Sequence, residues 1–216
     1  MAGSCCAAEP KFDGMTADFK RALWIVIAIN AVMFGVEIAA GTLAGSQALK
    51  ADALDFLGDT LTYAISLFVL GRPLRMRASA ALFKGGGLAA MGFWVFGSTA
   101  YQFFLLETPS APVMGAVGFL ALAANLASVG VLLSYRNGDS NVRSVWVCSR
   151  NDAIGNIAVI GAALAVFLTG SGLPDLIVAA LMAGLFLWSS VQIIRQALSE
   201  LLEDGVKIKA PRHDLR

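Results

Sequence analysis

Charged residues are scarce in this chain of 216 residues: 14% are Asp, Glu, Lys or Arg, whereas 57% are hydrophobic. A soluble domain usually carries roughly 25% charged residues, so the deficit argues against an ordinary soluble surface. The net charge is only +1, and Lys and Arg do not cluster, so no nucleic-acid partner is expected. We therefore expect an integral membrane protein whose solvent is the lipid bilayer.

Histidine and cysteine are also rare. The one histidine is His213, and the three cysteines are Cys5, Cys6 and Cys148. An odd number that begins with an adjacent pair does not fit a disulfide framework, and no nucleophile–base pair is available for catalysis. The sequence thus predicts no enzyme and no prosthetic group. Two interpretations of Cys5, Cys6 and His213 are open: they capture metal ions on the cytoplasmic side of the membrane, or they have no metal-binding role.

An apolar leader is missing as well, because the first twenty residues mix charges and lack the apolar run of a signal peptide. We assign residues 1–20 to a cytoplasmic N-terminal segment, 21–198 to a six-helix membrane domain and 199–216 to a short cytoplasmic tail. A tail of about eighteen residues is too short to fold alone, so no folded C-terminal domain is expected.

Long apolar runs are what the sequence has in abundance. A bilayer core about 30 Å thick needs about 20 apolar residues per helical span, and turn residues separate six such runs. The predicted spans run from Arg21 to Leu43, Gln47 to Leu70, Ala80 to Leu105, Pro112 to Tyr135, Val142 to Leu168, and Leu173 to Leu198. The predicted fold is therefore all-α, a polytopic membrane protein with six transmembrane helices.

Positive charge is unevenly distributed among the connections. The N-terminal segment, the second and fourth loops and the tail hold nearly all of it, whereas the other loops contain only Lys50. The positive-inside rule then places both termini in the cytoplasm. With this orientation, helices one to three and helices four to six cross the membrane in opposite directions. Such inverted repeats recur in transporters, whose substrate site lies between the repeats near the middle of the bilayer.

Acidic residues interrupt two of the predicted spans. Asp55 and Asp59 lie four residues apart in helix two, and Cys148 and Asp152 lie four apart in helix five, so each pair shares one helical face. An Asp at a helix centre costs about 2.5–3.5 kcal/mol on insertion scales. At 1.5 Å per residue, Asp59 lies roughly 18 Å from the outer end of helix two, and Asp152 lies roughly 15 Å from the inner end of helix five.

Both pairs therefore fall near the midplane, where two ligands from each helix can close a tetrahedral metal site. Three carboxylates and a thiolate suit Zn²⁺, and the thiolate also admits softer ions. The alternative is an acid network that pairs with Arg150 or Asn156, or that stays protonated. Asp52 either lines the release path or lies at the interface, and Glu37 and Asn125 either line the ion route or form helix–helix hydrogen bonds.

The sequence resembles the cation diffusion facilitator family of divalent-metal/proton antiporters from Arg21 to Leu202. The segment from Gln47 to Asp55 is similar to the family's approach to helix two. Asp152-Ala153-Ile154-Gly155-Asn156 is similar to its helix five, and Pro174-Asp175 to its entry to helix six. The resemblance implies six helices with cytoplasmic termini and two ligand-x-x-x-Asp pairs. Asp55, Asp59 and Asp152 fall on ligand positions.

Two departures from the family pattern matter. Cys148 stands where most members carry a His that helps couple metal release to proton uptake, so coupling and metal choice are expected to differ, with a preference moving toward Cd²⁺. Longer members also carry a cytoplasmic domain that holds dimers together and senses metal. A homodimer of this chain would have to form through its membrane helices.

The resemblance thus implies a transport domain in the bacterial inner membrane that exports Zn²⁺ or Cd²⁺ from the cytoplasm by proton antiport. The metal ions and protons are its expected partners, together with the bilayer. The alternative is a non-transporting membrane scaffold or a metal-binding accessory protein.

Overall fold

The structure is a computed structural model that describes residues 16–69, 73–105, 107–135 and 140–209, with the backbone alone at 74, 140–151 and 203–209. Within those ranges every regular element is a helix, which confirms the all-α fold. The helices are α1 Ala17–Ala44, α2 Gln47–Val69, α3 Leu74–Leu105, α4 Ala111–Leu132, α5 Ser140–Thr169 and α6 Leu173–Lys209. A short 3₁₀ turn, Leu133–Tyr135, follows α4.

Local chemistry accounts for several helix ends. The hydroxyl of Thr16 accepts the backbone N–H of Phe19 at 3.3 Å and caps the start of α1. Gly45 ends α1 with φ of 71°, a left-handed conformation that glycine adopts without steric cost. Ser46 then leads directly into α2, so α1 and α2 form a tight antiparallel hairpin.

Apolar side chains cover the outside of the molecule, and polar ones lie within it. Phe83, Phe104 and Trp188 are 70%, 82% and 68% exposed, whereas Glu37 and Asn156 are both 0% exposed. This distribution is the reverse of a soluble protein's and is the one a lipid solvent requires. The chain is therefore an integral, polytopic membrane protein.

In the described part of the chain, five helices are long and apolar enough to cross a membrane, and α2 is not among them. Its 23 residues reach about 35 Å, so length is sufficient. Composition is the reason, because α2 contains one Lys and three Asp. The helix that carries most of the acids depends on its neighbours to shield them from lipid.

The six helices divide into a four-helix group and a pair. Helix α1 packs on α2 and α4, α4 packs on α5, and α5 also meets α2. Helix α3 packs along α6, where Gly85 and Gly92 bring the two backbones close: a Cβ at these positions would lie 2.7 Å from Ile194 and 2.9 Å from Leu187. Each predicted triplet thus gives two helices to the group and one to the pair.

The beginning of α2 is held by the beginning of α6. Asp175 accepts the hydroxyl of Ser46 at 2.6 Å and the backbone N–H groups of Gln47 and Ala48 at 2.8 and 3.0 Å. Ser46 in turn accepts the N–H of Leu49 at 3.1 Å. These bonds satisfy backbone donors that would otherwise be orphaned at the helix start, and Asp175 is only 1% exposed.

Helix ends differ from the sequence-based spans. Helix α3 begins at Leu74 instead of Ala80, and α6 continues to Lys209 instead of ending at Leu198. The extensions contain charged residues. A span assigned from hydropathy ends at such residues, whereas the helical backbone continues through them. The tail predicted from residue 199 therefore begins as a continuation of α6. Cys5, Cys6 and His213 lie outside the described residues.

Candidate metal site

The acidic face of α2 points into the four-helix group. Asp52 is 2% exposed, and Asp55 and Asp59 are partly buried. They occupy one broad face because their spacings of three and four residues return nearly to the same side of a helix. On this face, Asp52 lies beside Glu37 of α1, and Asp55 and Asp59 meet α5.

Asp152 of α5 meets this face. Its side chain forms hydrogen bonds with the side chains of both Asp55 and Asp59. A hydrogen bond between two carboxyl groups needs one of them to be protonated, since a carboxylate only accepts. The three acids that the sequence places at similar depth are thus brought together by the packing of α2 on α5.

Tyr63, which the sequence analysis missed, adds a fourth member. It lies one turn after Asp59 on the same face, is 1% exposed and donates its hydroxyl hydrogen to Oδ2 of Asp59. Its ring packs among Leu23 and Val26 of α1. The spacing of four residues from Asp59 was the signal that could have identified it.

Cys148 precedes Asp152 by one turn of α5, but its side chain lies outside the described residues. The side chain of Arg150, a predicted alternative partner of the acids, does so too. Among the side chains that are described, no group of three or more His, Cys, Asp or Glu could hold a metal ion as it stands. The carboxyl groups contact one another, so a metal would have to displace shared protons and turn the carboxylates toward a common centre.

Asn156, the other predicted alternative partner, does not pair with the acids. It is 0% exposed, and neither polar atom of its amide has a hydrogen-bond partner among the described residues. Glu37 of α1 lies beside Asp52 instead. Asn125 of α4 is 2% exposed, so all three secondary candidates are inside the molecule and not at its lipid face.

The fold and the buried acids define a polytopic helical membrane protein with a carboxyl-lined interior. The model of the cation efflux transmembrane domain matches residues 23–202. The chain belongs to this cation efflux family. The resemblance to the cation diffusion facilitators inferred from the sequence is thereby confirmed.

Two relatives illustrate the similarity. The metal cation efflux system protein CzcD of Cupriavidus metallidurans is 27% identical over 199 residues, which cover 87% of this chain and 63% of that protein. The zinc transporter ZitB of Escherichia coli is 28% identical over 196 residues, covering 85% and 63%. The chain therefore spans somewhat less than two thirds of these relatives. Their names are those of efflux and transport proteins and not of enzymes.

Proposed function

We propose that this chain transports divalent metal cations, Zn²⁺ or Cd²⁺, out of the cytoplasm in exchange for protons. The ion would be bound by Asp55, Asp59, Cys148 and Asp152. We further propose that the protein resides in a bacterial inner membrane and works as a homodimer formed through its membrane helices.

The observation that carries this proposal is the contact of Asp152 with both Asp55 and Asp59. Carboxyl groups from separate helices converge inside a membrane protein only at considerable cost, and such groups mark ion and proton pathways. Because the residues come from α2 and α5, a change in how these helices pack would change the geometry of the group. That property suits a carrier, which must bind its cargo and release it.

The donor chemistry supports zinc and cadmium as cargo. Three carboxylates with a thiolate form a four-ligand set of mixed oxygen and sulfur, which Zn²⁺ accepts in tetrahedral geometry. Sulfur ligands also favour thiophilic ions. The relatives support the same class, since one carries the name of a zinc transporter and the other that of a metal cation efflux protein.

Proton exchange follows from the ligands themselves. Carboxylates and thiolates bind metal in their deprotonated forms, so binding releases protons and protonation expels the metal. Asp152 shares protons with Asp55 and Asp59 when their carboxyls are hydrogen-bonded. The Tyr63 hydroxyl holds one oxygen of Asp59 and so orients the carboxylate for the incoming ion.

The test is metal-dependent proton flux in proteoliposomes, measured with Zn²⁺, Cd²⁺ and Mn²⁺. We expect flux in the wild type, less than about one hundredth of it in Asp59→Asn, which keeps the side-chain volume but removes a charged ligand, and a shifted Zn²⁺/Cd²⁺ preference in Cys148→His. Asp18→Asn is the matched control, because Asp18 is exposed and forms an ion pair with Arg21 at 4.0 Å.

Normal flux in Asp59→Asn would overturn the proposed ligand set. Metal binding by a folded wild type that moves no ion would favour the alternative of a scaffold or accessory protein. Light scattering of the detergent-solubilised chain tests the homodimer, and a monomer that is fully active after reconstitution at low density would contradict it.

A further inference from the structure

A second pair of acids lies outside the ligand set proposed above. Glu37 of α1 and Asp52 of α2 lie side by side, and they are 0% and 2% exposed. They come from the two arms of the α1–α2 hairpin. Glu37 is seven residues before the end of α1, and Asp52 is five residues after the start of α2, so both lie roughly 8–10 Å from the turn.

A hydrogen bond between the two carboxyl groups joins this pair. Such a bond needs one of the two groups to be protonated, and apart from the partner acid no described group donates to either carboxyl oxygen of Glu37 or to Oδ2 of Asp52. Leaving a buried polar group unpaired costs about 1–3 kcal/mol, and more if the group is charged.

The pair stands between the central acids and the turn. Asp52 precedes Asp55 by three residues on the same broad face, and Glu37 is close enough to Asp55 to interact with it electrostatically. An ion that left Asp55 toward the α1–α2 turn would therefore meet Asp52 and Glu37 next. The distance along α2 from Asp55 to Asp52 is only about 4.5 Å.

Asn156 provides an independent indication of a ligand at this level. It lies one turn after Asp152 and therefore on the same face of α5, the face from which Asp152 meets α2. Its side chain is wholly buried. Its amide oxygen and nitrogen are both unpartnered among the residues described. An amide oxygen is a regular ligand of hard divalent cations and adds no charge to a site that already holds two carboxylates.

We propose that Glu37 and Asp52, with the amide oxygen of Asn156, form a second divalent-cation site, through which the ion passes between the central acids and the α1–α2 turn. The inference rests on the proposed transport function and extends it. All its donors are oxygen, whereas the central set includes the sulfur of Cys148. The second site therefore holds the ion as a hard-ligand, partly hydrated complex and does not share the preference for thiophilic ions.

The experiment counts Cd²⁺ ions bound by the full-length, detergent-solubilised chain, by equilibrium dialysis. Cys5→Ser, Cys6→Ser and His213→Asn are included throughout so that terminal donors do not contribute. Ultraviolet sulfur-to-cadmium charge transfer reports the central set alone, because the second site contains no sulfur. Variants Glu37→Gln and Asp52→Asn are compared with the exposed control Asp18→Asn.

We expect Glu37→Gln and Asp52→Asn each to bind one Cd²⁺ fewer per chain than the control, with the charge-transfer band intact. The converse is expected for Asp59→Asn, which loses the band and keeps the other ion. An unchanged ion count in both Glu37→Gln and Asp52→Asn would overturn the second site. If Asp59→Asn kept the charge-transfer band while Glu37→Gln and Asp52→Asn still lost one ion, the proposed central ligands would be overturned and the second site would stand.

The loss of one ion can be distinguished from misfolding of the variant. Gln and Asn keep the volume of the acids they replace and remove a buried charge, so the variants are expected to insert and fold. An intact charge-transfer band in Glu37→Gln also reports that α2 and α5 still meet. With the band present and the ion count reduced, the lost ion is assigned to Glu37 and not to a collapsed bundle.

Discussion

At the scale of single residues, the proposed function depends on a few buried acids. The i,i+4 spacing and the matched depth of Asp55, Asp59 and Asp152 were readable from the sequence, and the structure brings these three carboxyl groups into contact. Their role as metal ligands stays a prediction, as does that of Cys148, whose side chain is not described. The pairing of Glu37 with Asp52 was not predicted, although their similar distances from a short turn were a usable signal.

Tyr63 was missed for a different reason. A tyrosine in an apolar helix is usually read as packing, and its hydroxyl partner depends on rotamers that a sequence does not specify. The hydrogen bond to Asp59 becomes visible only once the side chains are placed. Sequence periodicity thus finds which residues share a face but not which of them bond.

The Tyr63→Phe variant tests this bond without disturbing the packing around the ring. We expect Cd²⁺ affinity at the central site to fall about tenfold, because an outer-shell hydrogen bond that orients a ligand typically contributes 10–100-fold. The measurement is competition with a chelator, followed by the sulfur-to-cadmium band. An affinity within twofold of the wild type would mean that Tyr63 serves only the apolar cluster with Leu23 and Val26.

Among the described helices, α2 is the one without an apolar stretch sufficient for a membrane span, so it depends on its neighbours to shield its acids. The hydropathy of the chain located all six helices, but it could not locate the helix ends of α3 and α6, whose charged extensions continue beyond the apolar stretch. It also could not reveal that Asp175 caps α2, because the two residues involved, Ser46 and Asp175, are 129 positions apart. Long-range partners of this kind carry no local periodicity.

Removing the cap should weaken the whole molecule. Asp175→Ala leaves the N–H groups of Gln47 and Ala48 and the Ser46 hydroxyl without their acceptor. We expect a loss of about 2 kcal/mol, at the upper end of N-cap effects because the site is buried. Thermal unfolding in detergent measures it, and Asp18→Ala, at an exposed ion pair, should change stability by less than about 0.5 kcal/mol. Equal stability of the two variants would contradict the cap.

The α3–α6 pair offers two adjacent glycines with opposite surroundings. A Cβ at Gly85 would lie 2.7 Å from Cγ1 of Ile194, whereas at Gly86 it would meet nothing within 4 Å. We expect Gly85→Ala to lose about 1–3 kcal/mol through overpacking, and Gly86→Ala to gain up to about 1 kcal/mol through helix propensity. Tryptophan fluorescence during thermal unfolding compares them. A Gly85→Ala variant as stable as Gly86→Ala would show that α3 and α6 approach less closely.

At the scale of the whole molecule, composition already indicated the solvent. Scarce charge and long apolar runs predicted a helical membrane protein, and the exposed aromatic residues with buried acids agree. How the helices group could not be predicted, because every apolar face of a membrane helix is similarly suited to lipid or to protein. The division into a four-helix group and an α3–α6 pair depends on shape, for instance at Gly85 and Gly92.

Orientation in the membrane is a prediction that single cysteines can test. In a chain with Cys5, Cys6 and Cys148 replaced by Ser, Ser110→Cys at the exposed start of α4 should react with an impermeant maleimide from outside the cell. Arg75→Cys at the exposed start of α3 should react only after permeabilisation, since the positive-inside rule places it in the cytoplasm. The reverse labelling pattern would refute cytoplasmic termini.

The capping of α2 by Asp175 also has a consequence for biosynthesis. Asp175 follows Gln47 by 128 residues, which a ribosome adds in roughly 6–25 s at about 5–20 residues per second. During that interval α2 lacks its final cap and the helix that supplies it. Asp55 and Asp59 gain their partner earlier, because Asp152 belongs to α5, which is synthesised before α6. The start of α2 is thus completed only after the intervening helices have been synthesised.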